Sequence, residues 1–294
     1  MQPVPGAAGL LADRYRLGIR LGGGSSAEVF SAHDLRTGAA VAVKVPSPRR
    51  NNDFMRTAFA HEASMLRRLA WAGGHPGIAD LLDSGTDGPE KRPFLVMELV
   101  RGSNLRRTLA AGRPSEGQVK AWATDLLRAL AHSHAFGVAH RDIKPANILI
   151  RRPLHSRVSH SRAVLTDFGI AIALDHGAVH SQGLTTGTAS YLSPEQATGS
   201  FVDAATDIYS LGLVLIECLT GAAAFPGAPL ESAVARLLAD PAIPDTTDEE
   251  FAGALRAMTD REPARRPSAA EALALLDSAE DFDEPPLHNL SIAA

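Results

Sequence analysis

The sequence predicts an α+β protein in two lobes, a small β-rich N-terminal lobe carrying one main helix and a larger, mostly α-helical C-terminal lobe. Three observations carry that expectation. The first hundred residues read as short strands punctuated by glycines, and the pattern turns helical after Arg101-Gly102. A hydrophobic content of 45% over 294 residues is enough for a sizeable core.

The elements follow in order. Residues 15–21, 29–32 and 41–45 are brief alternating or β-branched runs separated by Gly22-Gly23-Gly24 and Thr37-Gly38, the pattern of a β-meander. Across 54–69 the period changes, with Met55, Phe59, Glu62, Ala63, Leu66 and Leu69 recurring at helical spacing. Strands near 78–82 and 94–99 complete the small sheet. Beyond it, Val119, Trp122, Ala123, Leu126, Leu127, Leu130 and Ala131 share one helical face, with Asp125 and Arg128 opposite. Further helices are expected at 204–220, 230–239, 249–258 and 268–276. The last is opened by Ser268 with Glu271 three residues on, a capping-box pattern. On this reading 1–14 is an extension, 15–98 the first lobe, 98–102 a hinge, 103–278 the second lobe and 279–294 a frayed tail.

Composition narrows the function. A formal net charge of −4 gives no electrostatic footprint for a nucleic acid or a membrane surface, so a phosphate-bearing partner must be held locally. The single cysteine, Cys218, excludes an intramolecular disulfide framework and suits a reducing, cytoplasmic compartment. The eleven histidines show no metal spacing. Residues 1–12 lack a basic start and are broken by Pro3, Pro5 and Gly9, unlike a signal peptide. The most apolar window, 211–219, contains Glu217 and falls short of the roughly 20 residues a membrane span needs; it is expected to be a buried helix. Of 29 basic residues only four are lysines, at 44, 91, 120 and 144. A site that needs a compact point charge cannot simply take an arginine fork, so each lysine poses a question.

The segment His140-Arg141-Asp142-Ile143-Lys144-Pro145-Ala146-Asn147 is the most informative in the chain. Its six specified positions would arise by chance at on the order of one in 10⁸ starting points. It resembles the catalytic loop of the protein kinase family, closest to bacterial eukaryotic-like (Hanks-type) serine/threonine kinases, and the resemblance runs from about 15 to 278. It implies a two-lobed kinase fold and transfer of the ATP γ-phosphoryl group to Ser or Thr hydroxyls of protein substrates. Asp142 would accept the hydroxyl proton, Lys144 would neutralise charge on the transferred group, and Asn147 would hold Mg²⁺. Asp167-Phe168-Gly169, twenty residues after Asn147 and behind an apolar strand, would supply a second magnesium ligand in Asp167.

In Val41-Ala42-Val43-Lys44 the lysine would reach the α- and β-phosphates and pair with Glu62, on the helix of the first lobe. Leu21, Gly22, Gly23, Gly24, Ser25, Ser26, Ala27 and Val29 would cover the phosphates, glycines letting backbone N–H groups approach. Ala27 stands where the family carries its third glycine, a departure expected to alter flexibility more than binding. Leu21, Val29, Ala42, Met97 and Leu149 would wall the adenine, with backbone groups of Glu98 and Val100 on its edge.

Downstream, the run from Gly187 to Glu195 matches the family's peptide-docking segment, with Ser193 for the commoner alanine. Glu195 would pair with Arg266, Thr188 would contact Asp142 and Lys144, and Asp207 would accept hydrogen bonds from the catalytic-loop backbone. Arg141 before Asp142 implies control by activation-segment phosphorylation, with candidates Ser181, Thr185 and Thr186. The insert 151–162, with four arginines and with His155 and His160, has two readings, an anion-binding surface and a solvated loop of an Arg-rich chain, of which the second is favoured. The resemblance leaves open a homodimer through the N-terminal lobe. A pseudokinase scaffold and a small-molecule phosphotransferase are the competing classes; the full catalytic set argues against the first and the docking segment against the second.

Overall fold

The computed structural model describes residues 10–24, 26–48, 52–152, 161–168 and 189–277. Ser25, Gly169, Ser181, Thr185, Thr186, Gly187 and Thr188, most of the 151–162 insert and the expected tail lie outside the described residues.

Strands β1 (Tyr15–Gly23), β2 (Ala27–Asp34), β3 (Ala40–Pro46), β4 (Leu81–Asp87) and β5 (Arg92–Glu98) form one antiparallel sheet in the order β1-β2-β3-β5-β4. Alternation gives the sheet two apolar faces. Tyr15, Phe30, Val41, Val43, Val45, Phe94 and Val96 pack together on one. Leu95 and Ala27 turn the other way, against Met55, Phe59 and Ala63 of α1 (Asp53–Trp71). Asn52 caps that helix by accepting the Met55 N–H, and Asp53 meets its positive end. Packing begins before Tyr15: Leu11 joins the core, and Arg14 holds Asp34 and Asp83 at 2.7 and 2.8 Å.

The expected strand at 78–82 is displaced. The sheet strand is β4, beginning at Leu81, while Ile78 forms an isolated parallel bridge to Leu165. The cause is a turn in which the Ile78 N–H returns to His75 O. It leaves Gly77 O to accept from Leu165 (2.8 Å) and the Ala79 N–H to donate to Leu165 O (2.9 Å). The connection after α1 is therefore fastened to the second lobe.

That lobe begins with β6 (Gly102–Asn104), which pairs with β7 (Ile148–Arg151), itself paired with β8 (Arg162–Leu165). Its helices are α2 (Leu105–Ala111), α3 (Glu116–Ala135), α4 (Pro194–Thr198), α5 (Ala205–Thr220), α6 (Pro229–Leu238), α7 (Glu249–Met258) and α8 (Ala269–Asp277). The window 211–219 lies within α5, which is buried from Thr206 to Leu219 and organises the lobe around itself, Cys218 included. A helix whose apolar residues run round most of its circumference has little to offer water, so neighbours surround it and its few polar groups, Asp207, Ser210 and Glu217, are hydrogen-bonded inside. Gly212 permits the closest approach: a Cβ there would meet Thr259 Cγ2 at 2.6 Å. The capping box at Ser268 and Glu271 forms, with bonds of 2.8 and 3.3 Å. No helix among the described residues is long and apolar enough to cross a membrane.

Candidate active site

Sheet register gathers one half of the site. Gly22 pairs with Val29, Val29 with Lys44, and Ala42 with Met97. Cross-strand partners share a face, as do residues two apart, so Val29, Ala42, Lys44 and Met97 lie on the α1 side of the sheet. Glu62, fully buried on α1, takes both its hydrogen bonds from the Lys44 ammonium at 2.8 and 2.9 Å. The same ammonium donates to Asp167 Oδ1 at 2.6 Å, so one buried cation joins α1, β3 and the second lobe.

Burial alone would push Lys44 toward neutrality, but Asp167 and Glu62 outweigh it and hold its pKa above the ordinary lysine value. Burial pushes the Glu62 carboxyl up to about 7, with Asp167 adding to the rise and Lys44 opposing it. Asp167 ends below its ordinary range because Lys44 more than offsets its desolvation. Lys44 therefore stays charged, and Glu62 is the carboxylate that takes the first proton on acidification.

The second half is the loop between α3 and β7. Asp142 receives Lys144 Nζ on both oxygens, at 2.9 and 2.8 Å, and Asn147 Nδ2 on Oδ2 at 2.9 Å. Asn147 Nδ2 also donates to the Asp142 carbonyl at 2.8 Å, which leaves the amide oxygen as the group with which Asn147 could hold a cation. Arg141 and Asp167 have φ of 63° and 64°, left-handed backbone at non-glycine residues. Such conformations cost about 1–3 kcal/mol each and persist only where surroundings enforce them.

The enforcement is visible. Asp207, fully buried at the start of α5, accepts the backbone N–H groups of His140 at 2.7 Å and Arg141 at 2.6 Å. His140 Nε2 lies 2.9 Å from Thr166 O, and its ring sits 4.5 Å from that of Phe168, which is buried behind Asp167. His134 on α3 reaches Asp207 at 2.8 Å, a partner the sequence did not single out.

The phosphate-cover residues described here occupy the β1–β2 turn, where Gly24 N–H donates to Ala27 O at 2.9 Å. A Cβ at Gly23 would collide with Ala27 O at 2.8 Å, so that glycine is required by the turn itself. Gly22 and Gly24 would meet nothing within 4 Å, so no protein atom excludes a side chain there. The Ala27 methyl is buried among Met55, Phe59 and Leu95, directed into the lobe's core.

At the hinge, β5 ends at Glu98 and β6 starts at Gly102, with Val100 between them. The Glu98 N–H donates to Asp80 O at 2.9 Å, and its carboxylate takes Arg151 of β7 as a fork, at 2.7 and 3.0 Å. That pair bridges the lobes beside Leu149, the half-buried neighbour of Asn104. Arg151 is thus bound to the hinge, and Arg162, at the far end of the insert, lies 3.9 Å from Asp125.

Of the segment expected to dock a peptide, the structure describes residues 189–195. Arg266 meets Glu195 as a fork at 2.7 and 2.8 Å, both side chains buried, and Thr206 adds a bond of 2.6 Å to the same carboxylate. Gln196 Nε2 donates to Arg141 O at 2.9 Å, tying α4 to the catalytic loop. Arg106 of α2 reaches Tyr191 Oη and Glu217, a triad spread over 111 residues that no local pattern announced.

Comparison with known proteins agrees with this geometry. Residues 15–275 match the protein kinase domain family model, and the chain belongs to that family. Within it, the similarity is to bacterial Hanks-type serine/threonine kinases. A probable serine/threonine-protein kinase of Streptomyces coelicolor is 39% identical over 248 residues, covering 82% of this chain and 35% of that protein. The serine/threonine-protein kinase PknB of Mycolicibacterium smegmatis is 39% identical over 280 residues, 89% of this chain and 42% of its own. A probable PknB of Bifidobacterium longum is 40% identical over 238 residues, 77% and 32%. This chain spans about a third to two fifths of the length of these relatives. The family uses ATP with a divalent metal. The donor set fits: the Asn147 amide oxygen and the Asp167 carboxylate are hard oxygen donors, and magnesium takes one or two such protein oxygens plus substrate phosphates.

Proposed function

We propose that this chain is an active serine/threonine protein kinase, transferring the γ-phosphoryl group of ATP to Ser or Thr hydroxyls of proteins in a regulatory, cytoplasmic role. One observation carries the reading: Asp142, Lys144 and Asn147 are hydrogen-bonded as a unit while Lys44 is engaged at once by Glu62 and Asp167. A pseudokinase scaffold has no need of that complete set.

Asp142 orients the acceptor hydroxyl and takes its proton; Lys144, already on both its oxygens, supplies positive charge beside the transferring group. Lys44 positions phosphates, and Glu62 orients Lys44. Asn147 Oδ1 and the Asp167 carboxylate would hold Mg²⁺, which when bound neutralises charge on the phosphate oxygens. Gly22, Gly23 and Gly24 with Ser25 and Ser26 cover the phosphates. Leu21, Val29, Ala42, Met97 and Leu149 enclose the base beside the Glu98 and Val100 backbone.

Autophosphorylation within residues 181–186 completes the proposal. Its support is Arg141, whose Nη2 donates to Val202 O at 3.0 Å and whose buried Nε has no partner among the described residues, leaving guanidinium capacity for a phosphate. Incubation with γ-labelled ATP and Mg²⁺, alone and with a generic basic protein, should label Ser or Thr in both, with one site in that peptide by mass spectrometry. Label only in inorganic phosphate or a small molecule would overturn the assignment; an active enzyme unlabelled in 181–186 would overturn the autophosphorylation.

A further inference from the structure

Arg236 on α6 is fully buried, and no carboxylate lies within ion-pairing distance of it among the described residues. Its guanidinium is spent on the backbone of the docking segment instead. Nη1 donates to Leu192 O, and Nη2 to Ala189 O at 2.6 Å and to the buried Ser232 hydroxyl at 2.8 Å. Nε turns back to Ser232 O at 3.0 Å, and the Phe225 ring covers the fork at 5.4 Å. A third carbonyl of the segment, Tyr191 O, is taken by Ser210 of α5 at 2.7 Å. Side chains of two helices thus hold the carbonyls of Ala189, Tyr191 and Leu192.

A buried cation without a counter-charge is an expensive way to stabilise a fold, since well-packed apolar residues of like volume serve as well or better. Burial also presses the Arg236 pKa below the ordinary arginine value. What the guanidinium offers that an apolar side chain cannot is a rigid fork able to fix two carbonyls of a short segment, a single 3₁₀ turn at Ala189–Tyr191 and the residue after it, at a set separation. The segment continues into Ser193 and α4, whose Gln196 holds Arg141 O, so its placement bears on where an acceptor peptide lies relative to Asp142.

We propose that Arg236 is a positioning residue for the protein substrate: it sets the backbone of 189–192 against which the acceptor peptide docks, and plays no part in nucleotide binding. This rests on the kinase reading above. Arg236→Gln keeps polarity and removes the fork. It should raise KM for a protein acceptor about tenfold or more, since small misplacements remote from the chemistry are costly. KM for ATP should stay within about twofold. Arg236→Lys, which restores the charge and not the fork, should rescue little. If Arg236→Gln does not fold, Ser232→Ala, which removes the hydroxyl that steadies Nη2 beside its bond to Ala189 O, is read by the same ratio. A wild type that phosphorylates no protein overturns the underlying reading. A wild type that does, with variants whose two KM values are unchanged or rise together, overturns the role of Arg236 alone.

Discussion

Lys44 and Arg266 are both buried cations that meet a glutamate, and the two arrangements differ where function would need them to. Arg266 makes a fork to Glu195 and also donates to the carbonyls of Asp260, Ala205 and Arg261, all inside one lobe. Every donor has a fixed direction, and the carboxylate is drawn below its ordinary range despite its burial. Lys44 is one ammonium shared between Glu62 in the first lobe and Asp167 in the second. Its bonds can swivel, and burial raises the pKa of one of its carboxylates, Glu62, to about 7. A planar fork locks two elements together, whereas a point charge can be passed between partners, and phosphates arriving between the lobes would be a third. In a chain with only four lysines, Lys44 and Lys144 are the two to which the proposed phosphoryl transfer gives such a charge.

Exchanging the chemistry of the two cations should break this contrast most sharply. Lys44→Arg keeps the charge but not the point geometry, and phosphoryl transfer should fall on the order of 10² to 10³-fold, the cost of one misplaced electrostatic donor. Its melting temperature should change little. Arg266→Met leaves Glu195 buried and unpaired, costing about 3–5 kcal/mol and lowering Tm by roughly 10 °C. Steady-state assays beside thermal melts of the same samples read both; a Lys44 variant that merely unfolds, or an Arg266 variant inactive but fully stable, would erase the distinction.

A smaller effect sharpens the comparison through pH. The folded-state pKa of Glu62 is raised from 4.5 to about 7, so the folded protein binds the extra proton. Wild-type stability relative to Glu62→Gln should therefore fall as pH rises from about 4.5 to 7. Glu195 is shifted the other way: its contribution is present above 4.5 and is lost as pH falls through the lowered value. The stability gap to Glu195→Gln should narrow on acidification below 4.5. Slopes of the same sign would mean that the two pairs are not differently poised.

The fold could be read largely because its signals are local. The 249–258 helix is reproduced residue for residue, and the Ser268 capping box forms as the pattern requires. The catalytic loop could be read because its residues are consecutive. Lys44 and Glu62 stand 18 apart, yet strand alternation and helical period each fix a face. What escaped depends on packing between distant segments. Arg151 reads as part of a solvated loop until β7 is laid beside the hinge. Arg236 falls inside the expected 230–239 helix with no local pattern to mark it, and the 78–82 strand is displaced because Gly77 and Ala79 find partners in Leu165. Arg106, Tyr191 and Glu217 meet only once α2 and α5 are in place.

The most direct test separates the base from the phosphate contacts. Nucleotide affinity in the presence of Mg²⁺ and transfer to protein Ser or Thr are measured for wild type and Asp142→Asn. Because the change removes the proton acceptor and leaves Lys44, Asp167 and the glycine turn intact, affinity should agree within about twofold while transfer is abolished. Phosphoserine or phosphothreonine still formed by Asp142→Asn at the wild-type rate would contradict the account.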